Sequence, residues 1–214
     1  MRTFATVLFA AVCSAKYMAN EQEFMAYISK HGKSYKDMEE YALRHERYQA
    51  VDAEIRKFNL YESSSQHGHN FMSDFTQAER TAMMGLKNMG APKKSTNVFI
   101  APKNFNAPTS VNWVTVTPAV VNPVKDQGQC GSCWSFASTA VMESDHAIRT
   151  GTLVSLSEQN LVSCSFLQGN LGCNGGWYYY AWNYALTKSL MTESAYPYTS
   201  GTTTKSGSCL YDRA

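Results

Sequence analysis

Several features that would point to particular functions are missing from this 214-residue sequence. The net charge is only +2 at pH 7, too small to predict binding to a nucleic acid. After the first residues, no apolar run approaches the length of about 20 residues that a membrane-spanning helix needs. We find no internal repeat, no low-complexity run and no Asn-x-Ser/Thr sequon. We therefore expect no nucleic-acid partner and no membrane partner. We also expect no metal or other cofactor.

Residues 1–15 have the pattern of a signal peptide. Met1-Arg2 provide a positive start, residues 4–12 are apolar, and residues 13–15 are small enough for cleavage. A buried N-terminal strand is the alternative interpretation. We expect a monomer that enters the secretory pathway and resides in a lysosome or vacuole or outside the cell.

Five cysteines remain after the signal peptide, and an oxidising compartment favours their pairing in disulfides. An odd number leaves one thiol unpaired, which requires an explanation. The five are Cys130, Cys133, Cys164, Cys173 and Cys209.

The distribution of charge indicates two units. Lys, Arg, Asp and Glu are dense in the first half and sparse in the second. Pro and Asn, which are typical of turns and linkers, cluster where the composition changes. The sequence therefore predicts a junction near residues 100–108.

Two helices are predicted in the first unit. Asn20 and Glu23 have the spacing of a capping box, apolar residues then recur at helical spacing, and Gly32 is expected to end the helix. A longer helix is predicted over residues 38–59. Six of its side chains share a stripe about 100° wide, which an ordinary amphipathic helix would also show. They are Glu40, Arg44, Tyr48, Val51, Ile55 and Asn59.

The sequence Gln-Gly-Gln-Cys-Gly-Ser-Cys-Trp at residues 127–134 carries the most chemical information. A zinc ribbon would need a second Cys-x-x-Cys pair, and a thioredoxin-like site should follow a strand of a βαβ unit; neither is evident. A helical pattern begins after Gly131, with residues 137, 140, 141, 144 and 148 on one face. Cys133 is thus expected at a helix N-terminus, where the macrodipole favours an anion, and a thiolate is the nucleophilic form of cysteine.

Together these motifs resemble the precursors of papain-like cysteine proteases of the cathepsin L type. Residues 127–134 are similar to the sequence around the family's nucleophilic cysteine. The helical stripe resembles the Glu-Arg-Phe-Asn-Ile-Asn signature of the inhibitory propeptide, with Tyr48 for Phe and Val51 for the first Asn. Gly68, Asn70, Met72 and Asp74 resemble the propeptide's Gly-x-Asn-x-Phe-x-Asp motif, with Met for Phe.

The resemblance implies an α+β fold: a helical inhibitory propeptide at residues 16–105, then the mostly helical left lobe of a papain-like fold at residues 106–214. The β-rich right lobe would be largely missing. The implied activity is that of a cysteine endopeptidase zymogen acting on polypeptide substrates, with its own propeptide as intramolecular inhibitor. Cys133 would be the nucleophile, and the Gln127 amide would donate to the oxyanion.

Further roles follow from the same resemblance. Disulfides are implied between Cys130 and Cys173 and between Cys164 and Cys209, which leaves Cys133 as the odd thiol. A helix should begin after a Ser157 cap. Acid would protonate carboxylates, Asp74 among them, and loosen the propeptide. The substrate would lie along a glycine-rich edge and an aromatic wall, formed by Gly175, Gly176, Trp177 and Tyr178; a plain turn and ordinary core aromatics are the alternatives.

A base for the reaction is not identified in the sequence. The family's His and Asn are expected about 130–150 residues beyond the nucleophile, at roughly residues 263–283, past Ala214. His146 should lie on the same helix as Cys133, far along its axis. We therefore expect the 214 residues alone to be inactive. The alternative function is a catalytically inactive, propeptide-type inhibitor of related proteases.

Overall fold

The structure, a computed structural model, describes residues 20–61, 64–86 and 100–211. The predicted signal peptide lies outside the described residues. The chain divides into two compact units between Arg80 and Thr81, ahead of the propeptide boundary expected at residue 105. Residues 81–86 therefore pack as part of the second unit.

The first unit is built on two helices, as the sequence predicts. Residues 20–31 form α1, which ends at Gly32 with φ +59°, a conformation that favours glycine. Helix α2 spans Met38–Tyr61, and a short α3, Gln77–Met83, runs across the division between the units. The predicted capping box is wrong, because residue 20 is itself helical and its side-chain oxygen is buried without a partner. Glu23 instead accepts a hydrogen bond from Arg56 at 3.1 Å.

Aromatic rings form the core of this unit. Phe24, Tyr27 and Tyr48 are almost completely buried. The Phe24 ring lies 5.2 Å from that of Tyr48 and 6.0 Å from that of Tyr27. Each buried aromatic side chain removes a large apolar area from water, so these three rings provide much of the energy that holds α1 against α2.

The second unit is mostly helical. Four α-helices follow in order: α4 at Cys133–Thr150, α5 at Glu158–Cys164, α6 at Tyr178–Thr187 and α7 at Ser200–Thr203. Within the described ranges, β-structure is limited to two isolated bridges, Leu86 with Gly176 and Leu156 with Thr192. The expected helical left lobe is confirmed. None of the described helices is long and apolar enough to cross a membrane.

Helix α4 presents a different face to the core from the one that its apolar pattern indicates. Val141 and Ile148 on the apolar stripe are 54% and 56% exposed, whereas Trp134, Ser138 and Glu143 are buried. The Ser138 hydroxyl donates to the Trp134 carbonyl at 2.6 Å, so a small polar side chain can be buried there without an unpaired group. The prediction from periodicity fails because hydrogen bonds compensate for the burial of polar residues, within the helix for Ser138 and from Lys125 and the Leu156 N–H for Glu143.

The start of α5 follows the prediction. The Ser157 hydroxyl accepts a hydrogen bond from the Asn160 backbone N–H at 2.9 Å, which makes Ser157 the N-cap. Leu161 and Val162 of this helix join Cys130, Trp134, Ala181 and Tyr184 in the core of the second unit.

Candidate active site

Cys133 is the first residue of α4 and the free cysteine of the described chain. Its side chain is partly exposed, and its neighbours Ser132 and Trp134 are buried. A thiol at the N-terminus of an 18-residue helix faces unpaired backbone N–H groups and the positive end of the macrodipole. The structure therefore presents a reachable thiol where an anion is favoured.

The other four cysteines form two disulfides, Cys130–Cys173 and Cys164–Cys209. These are the pairs that the family resemblance implies. The first joins the loop before α4 to the glycine-rich turn, and the Gly131 N–H donates to the Cys173 carbonyl at 3.0 Å beside it. This disulfide thus fixes the two backbone segments that flank Cys133.

The side chain of Gln127 makes two hydrogen bonds through its amide nitrogen. Nε2 donates to the Cys130 carbonyl at 2.8 Å and to the Met83 carbonyl at 2.9 Å. The first bond directs the amide toward the loop that leads into α4. The second shows that a main-chain carbonyl of residues 81–86 already occupies the remaining donor capacity of this amide.

Residues 82–86 lie directly on the glycine-rich segments. The Gly176 N–H donates to the Gly85 carbonyl at 2.9 Å, and Leu86 pairs with Gly176 in a parallel bridge. A Cβ atom on Gly85 would lie 1.9 Å from the Gly131 carbonyl oxygen, and one on Gly131 would lie 2.5 Å from the Cys173 carbonyl oxygen. Backbones can approach this closely only where side chains are absent.

Trp177 and Tyr178 follow the glycines at the start of α6. Their rings are partly buried and stacked at 4.8 Å, and Tyr178 contacts the Trp182 ring at 5.0 Å. The Trp177 backbone N–H donates to the side-chain oxygen of Asn170 at 2.8 Å. The two rings therefore form a fixed aromatic surface next to Gly175 and Gly176, and their role as a pocket wall stays a prediction.

A buried charged cluster supports the segment that precedes Gln127, and the sequence analysis missed it. Lys125 Nζ lies 2.9 Å from the Glu143 carboxylate and 2.7 Å from that of Glu158. Burial alone would lower the pKa of Lys125, but the hydrogen bonds from it to both carboxylates outweigh that effect and raise the pKa. Glu143 inside a helical pattern and Glu158 after a Ser cap resemble ordinary surface residues, so only tertiary contact identifies this cluster.

In the first unit, the predicted signature residues form an ion-pair network. Arg44 donates to Glu79 through two bonds of 2.6 and 2.7 Å and to Glu40 at 3.1 Å. The hydrogen bond from Arg44 outweighs burial and lowers the pKa of Glu79 to about 2.

Asn59 pairs with both backbone groups of His67, donating at 2.9 Å and accepting at 2.7 Å. Ile55 of the same stripe is partly buried.

The second signature folds into a turn around Asp74, which is 1% exposed. Its carboxylate accepts hydrogen bonds from Tyr27 at 2.7 Å and from Lys33 and Tyr35 at 2.9 Å each. The Asn70 side chain accepts from the Met72 N–H at 2.9 Å and shapes the turn. Tyr48, which replaces the family's Phe, stacks on the His69 ring at 4.1 Å.

The described part of the second unit brings no imidazole to Cys133. Its histidine, His146, is exposed on the same helix, 13 residues further on. That separation corresponds to about 20 Å along a helix axis.

Comparison with known proteins identifies the family. A model described as Papain family cysteine protease matches residues 107–214, and one described as Cathepsin propeptide inhibitor domain (I29) matches residues 24–79. The chain therefore belongs to the papain family of cysteine proteases, with a cathepsin-type propeptide.

Particular relatives place the chain near the cathepsin L group. The chain is 37% identical over 206 residues to digestive cysteine proteinase 2 of Homarus americanus, covering 94% of this chain and 62% of that protein. It is 40% identical to procathepsin L of Mus musculus over 163 residues, 73% of this chain and 46% of the mouse protein. The structure of digestive procathepsin L 3 from Tenebrio molitor larval midgut matches with TM-score 0.70 and 33% identity, over 90% of this chain and 61% of that one. The chain thus spans 46% to 62% of the length of these relatives.

Proposed function

We propose that this chain carries the nucleophile and the oxyanion donor of a cysteine endopeptidase made as a zymogen. Residues 16–105 would be the inhibitory propeptide, and residues 106–214 the first part of the peptidase domain. The observation that carries the proposal is the geometry at Gln127. The Gln127 amide is directed toward the loop before Cys133, and it also donates to the Met83 carbonyl. Met83 belongs to the part of the proposed propeptide that lies on the glycine-rich edge.

The chemistry assigned to these groups is acyl transfer. The Cys133 thiolate attacks the scissile carbonyl carbon and forms a C–S bond, while the carbonyl oxygen takes the negative charge. The Gln127 amide and the backbone N–H of Cys133 donate to that oxygen. Collapse of this tetrahedral intermediate expels the amine, which takes a proton from the base. The remaining thioester is then hydrolysed by water.

The base in this scheme is a histidine oriented by an asparagine, expected at roughly residues 263–283. His146 is too far along α4 to serve. The 214 residues on their own are therefore predicted to show negligible turnover. Gly175, Gly176, Trp177 and Tyr178 are assigned to the substrate edge and pocket wall, because substrate backbone needs the same close approach that residues 82–86 make.

The competing function, an inactive inhibitor acting in trans, is not favoured. An inhibitor made from a propeptide would need neither Cys133 nor Gln127 nor two disulfides in the second unit. The disulfides also support folding in the oxidising secretory pathway, which we propose as the route of this protein to a lysosome or to the outside of the cell.

The test compares the 214-residue chain with the longest form that its gene encodes. Both are incubated at mildly acidic pH with a fluorogenic peptide. We expect hydrolysis only by a form that contains the histidine, complete loss of hydrolysis with Cys133→Ala, and a loss in kcat of about 10²–10³-fold with Gln127→Ala. Hydrolysis that survives Cys133→Ala would overturn the proposal.

A further inference from the structure

The hydroxyl of Tyr198 lies between the two backbone segments that form the proposed oxyanion site. It donates to the Gln127 backbone carbonyl at 2.8 Å and pairs with the Ser132 hydroxyl at 2.7 Å. A phenol has one proton, so the bond to the carbonyl makes Ser132 the donor in the other pair. One side chain thus connects the residue that supplies the amide to the residue before Cys133.

Tyr198 is itself held from several directions. Its ring packs edge-on against Phe136 of α4 at 4.9 Å, and its N–H donates to Glu193 at 2.8 Å. The neighbouring residues 199 and 200 donate their backbone N–H groups to the side-chain oxygen of Gln159, which is 2% exposed. Burial raises the pKa of Tyr198 above its ordinary value. The hydroxyl is therefore a fixed point and not a mobile surface group.

A second contact of the same segment reinforces this arrangement. The Gln129 N–H donates to the Gly201 carbonyl at 2.9 Å, and a Cβ atom on Gly128 would lie 2.6 Å from that same carbonyl oxygen. Residues 127–129 therefore lie against residues 198–201 with no space for adjustment. Movement of the Gln127 backbone would also move its amide relative to the Cys130 carbonyl.

We infer that Tyr198 is a positioning residue, whose hydroxyl fixes the Gln127 backbone so that the Gln127 amide is held at the oxyanion position. The inference rests on the oxyanion role proposed for Gln127. In the zymogen form the position is occupied by the Met83 carbonyl, so the same hydroxyl also holds residues 82–86 in place. Loss of the hydroxyl should weaken that contact through Gln127.

The Gly176 amide provides a direct measurement in the full 214-residue chain. Its N–H donates to Gly85 of the occupying segment, whereas the Gly131 N–H donates to Cys173 within the disulfide-linked site. NMR-detected hydrogen exchange of Gly176 therefore reports release of the segment, and that of Gly131 reports opening of the site itself.

Tyr198→Phe keeps the ring and removes only the hydroxyl. We expect exchange at Gly176 to rise about fivefold, the factor for one net hydrogen bond, while exchange at Gly131 is unchanged. Gln127→Ala should produce a similar rise. The double variant should equal Gln127→Ala alone, because Tyr198 acts through Gln127; a purely structural role would instead multiply the two effects. Tyr196→Phe is the matched control, since its hydroxyl donates to Ser208 and does not contact residues 127–129.

The inference would be overturned by an unchanged exchange rate at Gly176 in Tyr198→Phe, by an effect in the double variant near the product of the single effects, or by the same rise in Tyr196→Phe. Wild-type exchange in Gln127→Ala would overturn it too, because the segment would then be held independently of Gln127. None of these readouts uses catalysis. The inference can therefore fail although Cys133-dependent peptide hydrolysis is observed, and it can hold although no such hydrolysis is observed.

Discussion

Replacing Asp74 with asparagine removes one buried negative charge and preserves the size of the side chain. The carboxylate accepts three hydrogen bonds, from Tyr27, Tyr35 and Lys33. An asparagine offers one oxygen, and its NH₂ group would face another donor, so at least one of the three donors loses its partner. Breaking a buried ion pair costs about 3–5 kcal/mol. Because Lys33 keeps some exposure, we expect about 3 kcal/mol, the lower end of that range.

The pH dependence of this contribution tests the expectation that acid acts through Asp74. Burial alone would raise the pKa of Asp74, but the hydrogen bonds from Lys33 and the two tyrosines outweigh it and hold the pKa below its ordinary value of 3.8. A carboxylate whose pKa is lowered by folding stabilises the fold at pH values above its unfolded pKa, and loses that effect as the pH falls through its folded pKa. Asp74 should therefore contribute fully at pH 5 as well as at pH 7. If mild acid loosens the propeptide, as the family resemblance implies, it acts through groups other than Asp74.

Hydrogen exchange by mass spectrometry on peptides from residues 38–61 measures this in the full chain. Asp74→Asn should raise the equilibrium constant for local opening about a hundredfold, because 1.4 kcal/mol corresponds to a factor of ten and the expected loss is about 3 kcal/mol. The rise should be the same at pH 7 and at pH 5. Asp37→Asn is the control: the exposed Asp37 caps the Glu40 N–H, and asparagine caps equally well, so little change is expected. A difference between wild type and Asp74→Asn that shrinks at pH 5 would refute the reasoning, because Asp74 would then titrate in mild acid.

Two further substitutions test the other contacts. Arg44→Lys loses the paired hydrogen bonds to Glu79 on α3 and should destabilise the first unit by about 1–2 kcal/mol in the same exchange measurement. Arg47→Lys is the control: Arg47 forms an exposed ion pair, so no measurable effect is expected. Gly85→Ala places a Cβ atom 1.9 Å from a backbone oxygen, so residues 82–86 should be displaced and the Gly176 amide should lose its protection. Gly68→Ala, with no atom within 4 Å of its Cβ, should leave that protection unchanged; equal exchange in the two variants would contradict the close contact described above.

The success of the sequence analysis differs between elements for physical reasons. The end of α1 followed from Gly32 and the range of α2 from helical periodicity, and the start of α5 followed from the Ser157 cap that the family resemblance implied; all of these act over a few residues. The buried face of α4 did not follow. Glu143 and Ser138 are polar, and only the hydrogen bonds that they make in the folded chain allow their burial. The Lys125 cluster was missed for the same reason.

By itself, the sequence determined the local chemistry: a cysteine, Cys133, at the start of a helix, a glutamine six residues before it, and helices with a propeptide signature. These features depend on spacing along the chain. Only the tertiary structure decided that Arg44 pairs with Glu79, that residues 82–86 lie on Gly131 and Gly176, and that the Tyr198 hydroxyl joins Gln127 to Ser132. The partners in these contacts lie from 35 to 91 positions apart along the chain. Such pairs depend on how the whole chain packs, and no local pattern records that.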